Sequence, residues 1–228
     1  MRATINDVAK EAGVSITTVS RVLNNNYPVK AETRIKVEEV IKKLKYKPNV
    51  MARSLITRKT SMIGVVVPGF TNLFFSTIVE TIENCLKSSG YTILLCNTSG
   101  NPESEISIVE ELIDRQSDGI IVIDPMTENL NNNFYDKVSQ EIPLIIVNGG
   151  IGNHKCSCVS YDEIEGTGEA FNYLLKLGHK RIALIRGHKS YSYDIKENLY
   201  KNIIKDNGLN YDKVIVVGNG NSIDVISK

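Results

Sequence analysis

Thr4-Ile5-Asn6-Asp7-Val8-Ala9-Lys10-Glu11-Ala12-Gly13-Val14-Ser15-Ile16-Thr17-Thr18-Val19-Ser20-Arg21-Val22-Leu23-Asn24 is the stretch on which the fold of the chain's front turns. Thr4 and Asp7 have the spacing of a capping box, in which a hydroxyl and a carboxylate satisfy the orphan amides of a helix start. Ile5, Val8, Ala9 and Ala12 follow at helical spacing. Gly13 stops the helix, because glycine tolerates a left-handed backbone. Ser15 caps a second helix, with Val19, Val22 and Leu23 on its buried face. Two helices and a tight turn make a helix-turn-helix, whose second helix fits the DNA major groove. Ile16, Thr17, Ser20, Arg21 and Asn24 lie off the apolar face. Arg21 suits guanine through two parallel hydrogen bonds, and Ile16 or Thr17 suits a thymine methyl. From these residues alone, the alternative is a helical hairpin with a solvated Arg21.

Outward from this stretch, residues 24–28 form a loop containing Pro28. A third helix spans about 31–44, with Ile35, Val37, Val40, Ile41 and Leu44 available to a core. Pro48 ends the bundle, Asn49 to Leu55 forms a short helix, and Thr57 to Ser61 is a polar linker. From residue 62 the pattern changes. Apolar runs at 63–67, 92–96, 119–123, 144–147, 182–185 and 214–217 alternate with helices centred near 82, 110, 135, 170 and 200. Such alternation predicts a parallel sheet covered on both faces. Ligands of such sheets bind beyond the carboxyl ends of the strands.

Charge divides at the same place. Residues 1–60 carry 13 Lys/Arg against 5 Asp/Glu, and residues 61–228 carry 14 against 21, so a formal charge of +1 hides a basic head on an acidic body. A basic head suits a polyanion. With 42% hydrophobic and 23% charged residues, the chain has globular composition, which excludes a disordered one. No apolar run reaches transmembrane length and the N-terminus has no signal-like apolar region, so the expected location is cytoplasmic. Cys85 and Cys96 read as core residues. Cys156 and Cys158 form a C-x-C pair without zinc spacing, and all four read as reduced thiols. The scattered histidines match no metal motif, so no metal and no cofactor is expected. No G-x-G-x-x-G follows the first strand. G-x-x-x-x-G-K-[ST] and G-x-S-x-G are absent, which argues against an enzyme. Gly149-Gly150-Ile151-Gly152 reads as a turn.

Thr4 to Ser15 followed by Thr18-Val19-Ser20-Arg21-Val22-Leu23-Asn24 resembles the head of the lactose-repressor (LacI/GalR) family of bacterial transcription regulators. Thr33-Arg34, Tyr46-Lys47-Pro48-Asn49, Ala52-Arg53-Ser54-Leu55, Ile63 to Pro68, Asn72-Leu73-Phe74-Phe75, Asp118-Gly119, Ile142-Pro143 and Gly178 to Ile182 continue the resemblance over nearly the whole chain. It implies an all-α helix-turn-helix head at residues 1–48 and a hinge helix and linker at 49–61. It implies an α/β sensor like the periplasmic binding proteins at 62–228, with a first lobe at 62–155 and a partial second lobe at 156–228.

The resemblance also implies roles. DNA contacts map onto Thr4, Ser15, Ile16, Thr17, Thr18, Ser20, Arg21 and Asn24, with Ile16 and Thr17 leading specificity. In the hinge they map onto Asn49, Ala52 and Leu55, and Leu55 would wedge between base steps in the minor groove. The family usually caps its third helix with Ser or Thr. Lys30 stands there, weakening the cap and offering a phosphate contact. Leu73 replaces a frequent Pro. Effector contacts map onto Phe74 and Phe75 as aromatic walls, Asn148, Asp162, and Lys196 where many members place an Arg. The plainer readings are core packing for the two rings and a helix cap for Asp162.

The partners so implied are a pseudo-palindromic double-stranded operator, a small carbohydrate effector (a sugar or sugar phosphate) and a second copy of the chain, with no membrane. Family members are longer, so the second lobe is expected to be incomplete, dimerisation weak and the effector response poor. The alternatives are a sugar-binding protein without DNA control and a truncated regulator without function.

Overall fold

The structure is a computed structural model that describes residues 3–25, 27–48, 59–150, 155–187, 190–210 and 212–217. The chain divides into two compact units, Met1–Arg58 and Lys59–Lys228.

In the first unit, α1 (Ile5–Ala12), α2 (Ile16–Asn24) and α3 (Ala31–Lys43) pack around Val8, Ala9, Ala12, Val19, Val22, Val37 and Val40. The capping box forms. The Thr4 amide and hydroxyl donate to Asp7 Oδ2 at 2.9 and 2.8 Å, and these bonds hold the Asp7 carboxyl below its ordinary pKa. Gly13 takes φ 63°, the left-handed stop that its lack of a Cβ permits. Lys43 of α3 pairs with Glu11 of α1. Ile35, expected to be available to the core, is instead 56% exposed. The expected hinge helix, with Asn49, Ala52 and Leu55, lies outside the described residues.

The second unit alternates strands and helices. In order they are β1 (Met62–Val67), α4 (Leu73–Ser88), β2 (Thr92–Asn97), α5 (Pro102–Asp114), β3 (Gly119–Ile123), α6 (Thr127–Asn131), α7 (Phe134–Glu141), β4 (Leu144–Val147), β5 (Ser157–Val159), α8 (Glu163–Lys176), β6 (Ala183–Arg186), α9 (Tyr191–Asp206) and β7 (Lys213–Val216). β1 to β5 form one parallel sheet in the order β2-β1-β3-β4-β5, and β6 and β7 pair parallel in a second.

Strand alternation sorts the first sheet's side chains into two cores. Val66, Ile120, Val122, Leu144 and Ile146 meet α5, α6 and α7 through Val109, Leu112, Leu130, Tyr135 and Val138. Val65, Val67, Ile121, Ile123 and Val147 take the other face with Phe75, Ile78, Val79 and Ile82 of α4. Gly64 admits Leu112, since a Cβ there would stand 2.5 Å from Leu112 Cδ1. In the second lobe Phe171, Ile182, Tyr200 and Ile204 form the core. The Tyr200 hydroxyl donates to the Ile182 carbonyl at 2.8 Å and accepts from the Lys213 amide at 2.9 Å, tying β6 to β7.

Three expectations change. The lobe boundary expected at 155/156 falls too early, because β5 pairs with β4 and belongs to the first sheet. Cys85 is exposed, since it lies on the outer face of α4. The helical region near 135 is two helices, α6 and α7, broken at Asn132 and at Asn133, which takes φ 61°.

Candidate nucleic-acid interface and sensor cleft

The buried stripe of α2 turns its remaining side chains outward. Ile16 is 48% exposed, and Thr17, Arg21 and Asn24 are also exposed. Ser15 acts as N-cap, its Oγ accepting from the Thr18 amide at 3.1 Å and lying 2.9 Å from Thr18 Oγ1. Asn24 Nδ2 donates to the Ser20 carbonyl at 3.0 Å and to Ser20 Oγ at 3.2 Å. Ser15, Thr18, Ser20 and Asn24 thus bond within the helix, while Ile16, Thr17 and Arg21 present the outer surface. The Arg21 guanidinium lies 5.1 Å from the centroid of the Tyr27 ring, a cation–π contact. Thr4 sits at the start of α1 inside its capping box. Lys30 occupies the N-cap of α3 without a side-chain cap bond.

In the second unit the strand order reverses at β1, which lies between β2 and β3. Such a switch point opens a crevice at the carboxyl ends of the strands. Asp124 follows β3 there and Asn148 follows β4, at φ 51° and 61°. Both are buried, and Asn148 Nδ2 approaches Asp124 Oδ1 at 3.4 Å. The start of α9 meets this crevice from the second lobe, where the Tyr191 amide donates to the Pro125 carbonyl at 3.3 Å and Thr127 Oγ1 donates to Asp194 Oδ2 at 2.6 Å.

Glu163 at the start of α8 is buried. Its Oε1 receives Lys196 Nζ at 2.6 Å, Ser192 Oγ at 2.7 Å and the Tyr161 hydroxyl at 3.0 Å. Its Oε2 is buried without a hydrogen-bond partner among the described residues, as is Ser160 Oγ. Burial pushes the Tyr161 hydroxyl up to about 12, with Glu163 adding to the rise. A cavity of about 610 Å³ is lined by Thr127 of the first lobe and by Arg186, Asp194, Glu197, Asn198 and Val216 of the second. Arg186 is buried there, bound to Asp194 at 2.7 Å and to Glu197.

Of the five effector candidates, Asn148 lies beside Asp124 at the crevice and Lys196 pairs with Glu163. Phe74 is 41% exposed and contacts Tyr161 edge-on at 6.3 Å. Phe75, expected as a second aromatic wall, is a core residue instead, because one step along α4 turns it onto the sheet. Asp162 is the N-cap of α8, where its Oδ1 accepts from the Ile164 and Glu165 amides at 3.0 and 2.9 Å. Sequence reasoning missed Asp124, Glu163, Arg186, Asp194 and Glu197. Asp124 carried a usable signal, a carboxylate directly after an apolar strand. The other four are recognisable only once α8, β6 and α9 pack together.

Burial drives the Asp124 carboxyl up to about 7. Glu163 adds to the rise, while the Ser190 hydroxyl, Lys196 and the Ser192 amide oppose it. An unfolded Asp titrates near pH ~4, so between that value and about 7 the folded state holds the extra proton. Linkage then makes the second unit lose stability as pH rises through this window. Urea unfolding of the wild type should show this slope and Asp124→Asn should flatten it. Equal slopes in both proteins would remove Asp124 as the titrating group.

A helical head with Ile16, Thr17 and Arg21 turned outward is followed by a two-lobed parallel α/β unit with a polar crevice. The family model for bacterial regulatory proteins, lacI family, matches residues 4–49, and that for periplasmic binding proteins and sugar binding domain of LacI family matches residues 60–224. The chain belongs to the LacI family. Catabolite control protein A of Staphylococcus epidermidis is 36% identical over 219 residues, covering 94% of this chain and 65% of that protein. Its counterpart in Staphylococcus aureus (strain Mu50) is 37% identical over 213 residues, covering 92% and 63%. A crystal structure of the lac repressor dimer bound to operator and the anti-inducer ONPF superposes with TM-score 0.78 at 25% identity, covering 96% of this chain and 66% of that one. The chain therefore spans about two-thirds of the length of these relatives. Among the described residues no helix is long and apolar enough to cross a membrane, and no group of three or more His, Cys, Asp or Glu is placed to hold a metal ion.

Proposed function

We propose that this chain is a sequence-specific DNA-binding transcription regulator, a repressor, acting in the cytoplasm under control of a small carbohydrate effector. The observation that carries the reading is the outer face of α2, where Ile16, Thr17 and Arg21 stand exposed on a helix anchored by Val19 and Val22. Thr4, Ser15, Thr18, Ser20, Asn24 and Lys30 serve contacts to the DNA backbone, which fix register without reading sequence. Asn49, Ala52 and Leu55 are the proposed hinge contacts in the minor groove. The operator is pseudo-palindromic.

The effector binds between the lobes. Buried acceptors without partners among the described residues, Glu163 Oε2 and Ser160 Oγ, suit a ligand rich in hydroxyl donors. Asn148, Lys196 and Asp124 border the same crevice, and the exposed ring of Phe74 offers an apolar face to a sugar.

Gel shifts on genomic fragments with titrated salt test the reading. One fragment class should bind on the order of 10³-fold or more tighter than random DNA, with affinity falling linearly in log salt. Equal binding to all fragments would overturn it.

A further inference from the structure

The geometry points to Tyr27 as a positioning residue for Arg21: the ring holds the guanidinium in place for base reading without itself reading a base. This inference rests on the DNA-binding reading above.

Arg21 lies in the last turn of α2, and the chain reverses just beyond it. Asn25 takes φ 52° and its amide donates to the Arg21 carbonyl at 3.0 Å. The reversal returns Tyr27 to the side of the helix it has just left. Pro28 follows, and a residue before proline is disfavoured from helical backbone, which narrows the backbone freedom of Tyr27. The result is the 5.1 Å contact between the Arg21 guanidinium and the Tyr27 ring.

Three further observations favour positioning over mere packing. Tyr27 is 59% exposed and lies outside the head's core, so the fold does not need it. Among the described residues no carboxylate pairs with Arg21, so no ion pair competes to orient it. Asn24, Arg21's neighbour on α2, is bonded back to Ser20, which leaves the guanidinium's surroundings to the ring. A long, flexible side chain loses rotamer freedom when it grips a base edge, and a ring that has already restricted it removes part of that loss.

The contact is exposed, so its contribution is modest, about two- to fivefold in affinity. It should act on discrimination rather than on general DNA affinity, because the ring carries no charge.

The test uses the full chain on its operator, on the same operator substituted at the base pair whose selection Arg21→Ala relaxes, and on random DNA. Tyr27→Ala should lower the preference for the native base pair about two- to fivefold and leave random DNA binding unchanged. Tyr27→Phe should keep the preference, since it retains the ring and removes only the hydroxyl. In an Arg21→Ala background, Tyr27→Ala should have no further effect. The proposal is overturned if Tyr27→Ala matches the wild type or raises the preference. It is equally overturned if Tyr27→Phe is as impaired as Tyr27→Ala, or if random DNA weakens in parallel, since either marks a hydroxyl contact to phosphate. A wild-type chain that prefers no sequence overturns the regulator reading as well, whereas the other failures leave that reading intact.

Discussion

Arg21→Ala is expected to weaken operator binding by about 1–3 kcal/mol and to relax selection at a single base pair. The guanidinium presents a planar fork that matches the two acceptors on the major-groove edge of guanine, and no other side chain on the outer face of α2 has that geometry. The substitution spares the fold. Arg21 is exposed, alanine is a good helix former, and the buried Val19 and Val22 are untouched. A competition series over single-base operator variants measures the effect. The variant should bind the native operator and its altered form at that position almost alike, while retaining affinity for random DNA apart from the loss of one charge. Equal weakening on every sequence would make Arg21 a phosphate contact and pass the reading role to Ile16 and Thr17.

Glu105→Ala should destabilise the second unit by on the order of 3 kcal/mol, because it strands buried donors. Glu105 lies on α5 and is 2% exposed. Its carboxylate accepts from the Met126 amide at 3.1 and 3.2 Å, from Asn129 Nδ2 at 2.9 Å and from the Tyr135 hydroxyl at 2.5 Å. Burial pushes this carboxyl above its ordinary pKa, against the pull of those donors, with the Tyr135 hydroxyl the strongest of them. Alanine removes every acceptor at once and leaves a cavity. Glu105→Gln keeps one carbonyl oxygen and the side-chain volume, so it should lose less. Urea unfolding followed by circular dichroism reads the difference. A loss below about 1 kcal/mol for Glu105→Ala would mean that water replaces the carboxylate. The network also braces the segment after β3 that carries Asp124, so the same variant should weaken any ligand response of the crevice.

The elements that sequence alone placed are those whose causes are local. Thr4 and Asp7 stand three residues apart, and the capping box forms wherever that spacing meets a helix start. Gly13 stops α1 for a reason contained in glycine itself. Ser15, Val19 and Val22 define cap and buried face within one helix, which is why the outward face of α2 was legible. The apolar runs of β1 and β3 stand out because strands buried on both faces are apolar throughout. Lys30 was also readable as a poor cap, since the missing hydroxyl is a property of one residue.

Tertiary structure decided whatever depends on which segments meet. Phe74 and Phe75 are adjacent and chemically identical, and the roughly 100° turn between neighbours on α4 sends one to solvent and the other onto the sheet. Asp162 reads as either a ligand group or a cap until the amides of Ile164 and Glu165 are seen on its Oδ1. β5 has three residues, too few for a periodic signal, and only its pairing with β4 assigns it to the first sheet. Asp124 follows β3, Glu163 opens α8 and Lys196 lies on α9, up to 72 residues apart in number. Their charges act on one another only because the strand order places the ends of β3 and β4 beside the start of α9. That order follows from which apolar faces bury each other most completely, a property of the assembled sheet and not of any one of its segments.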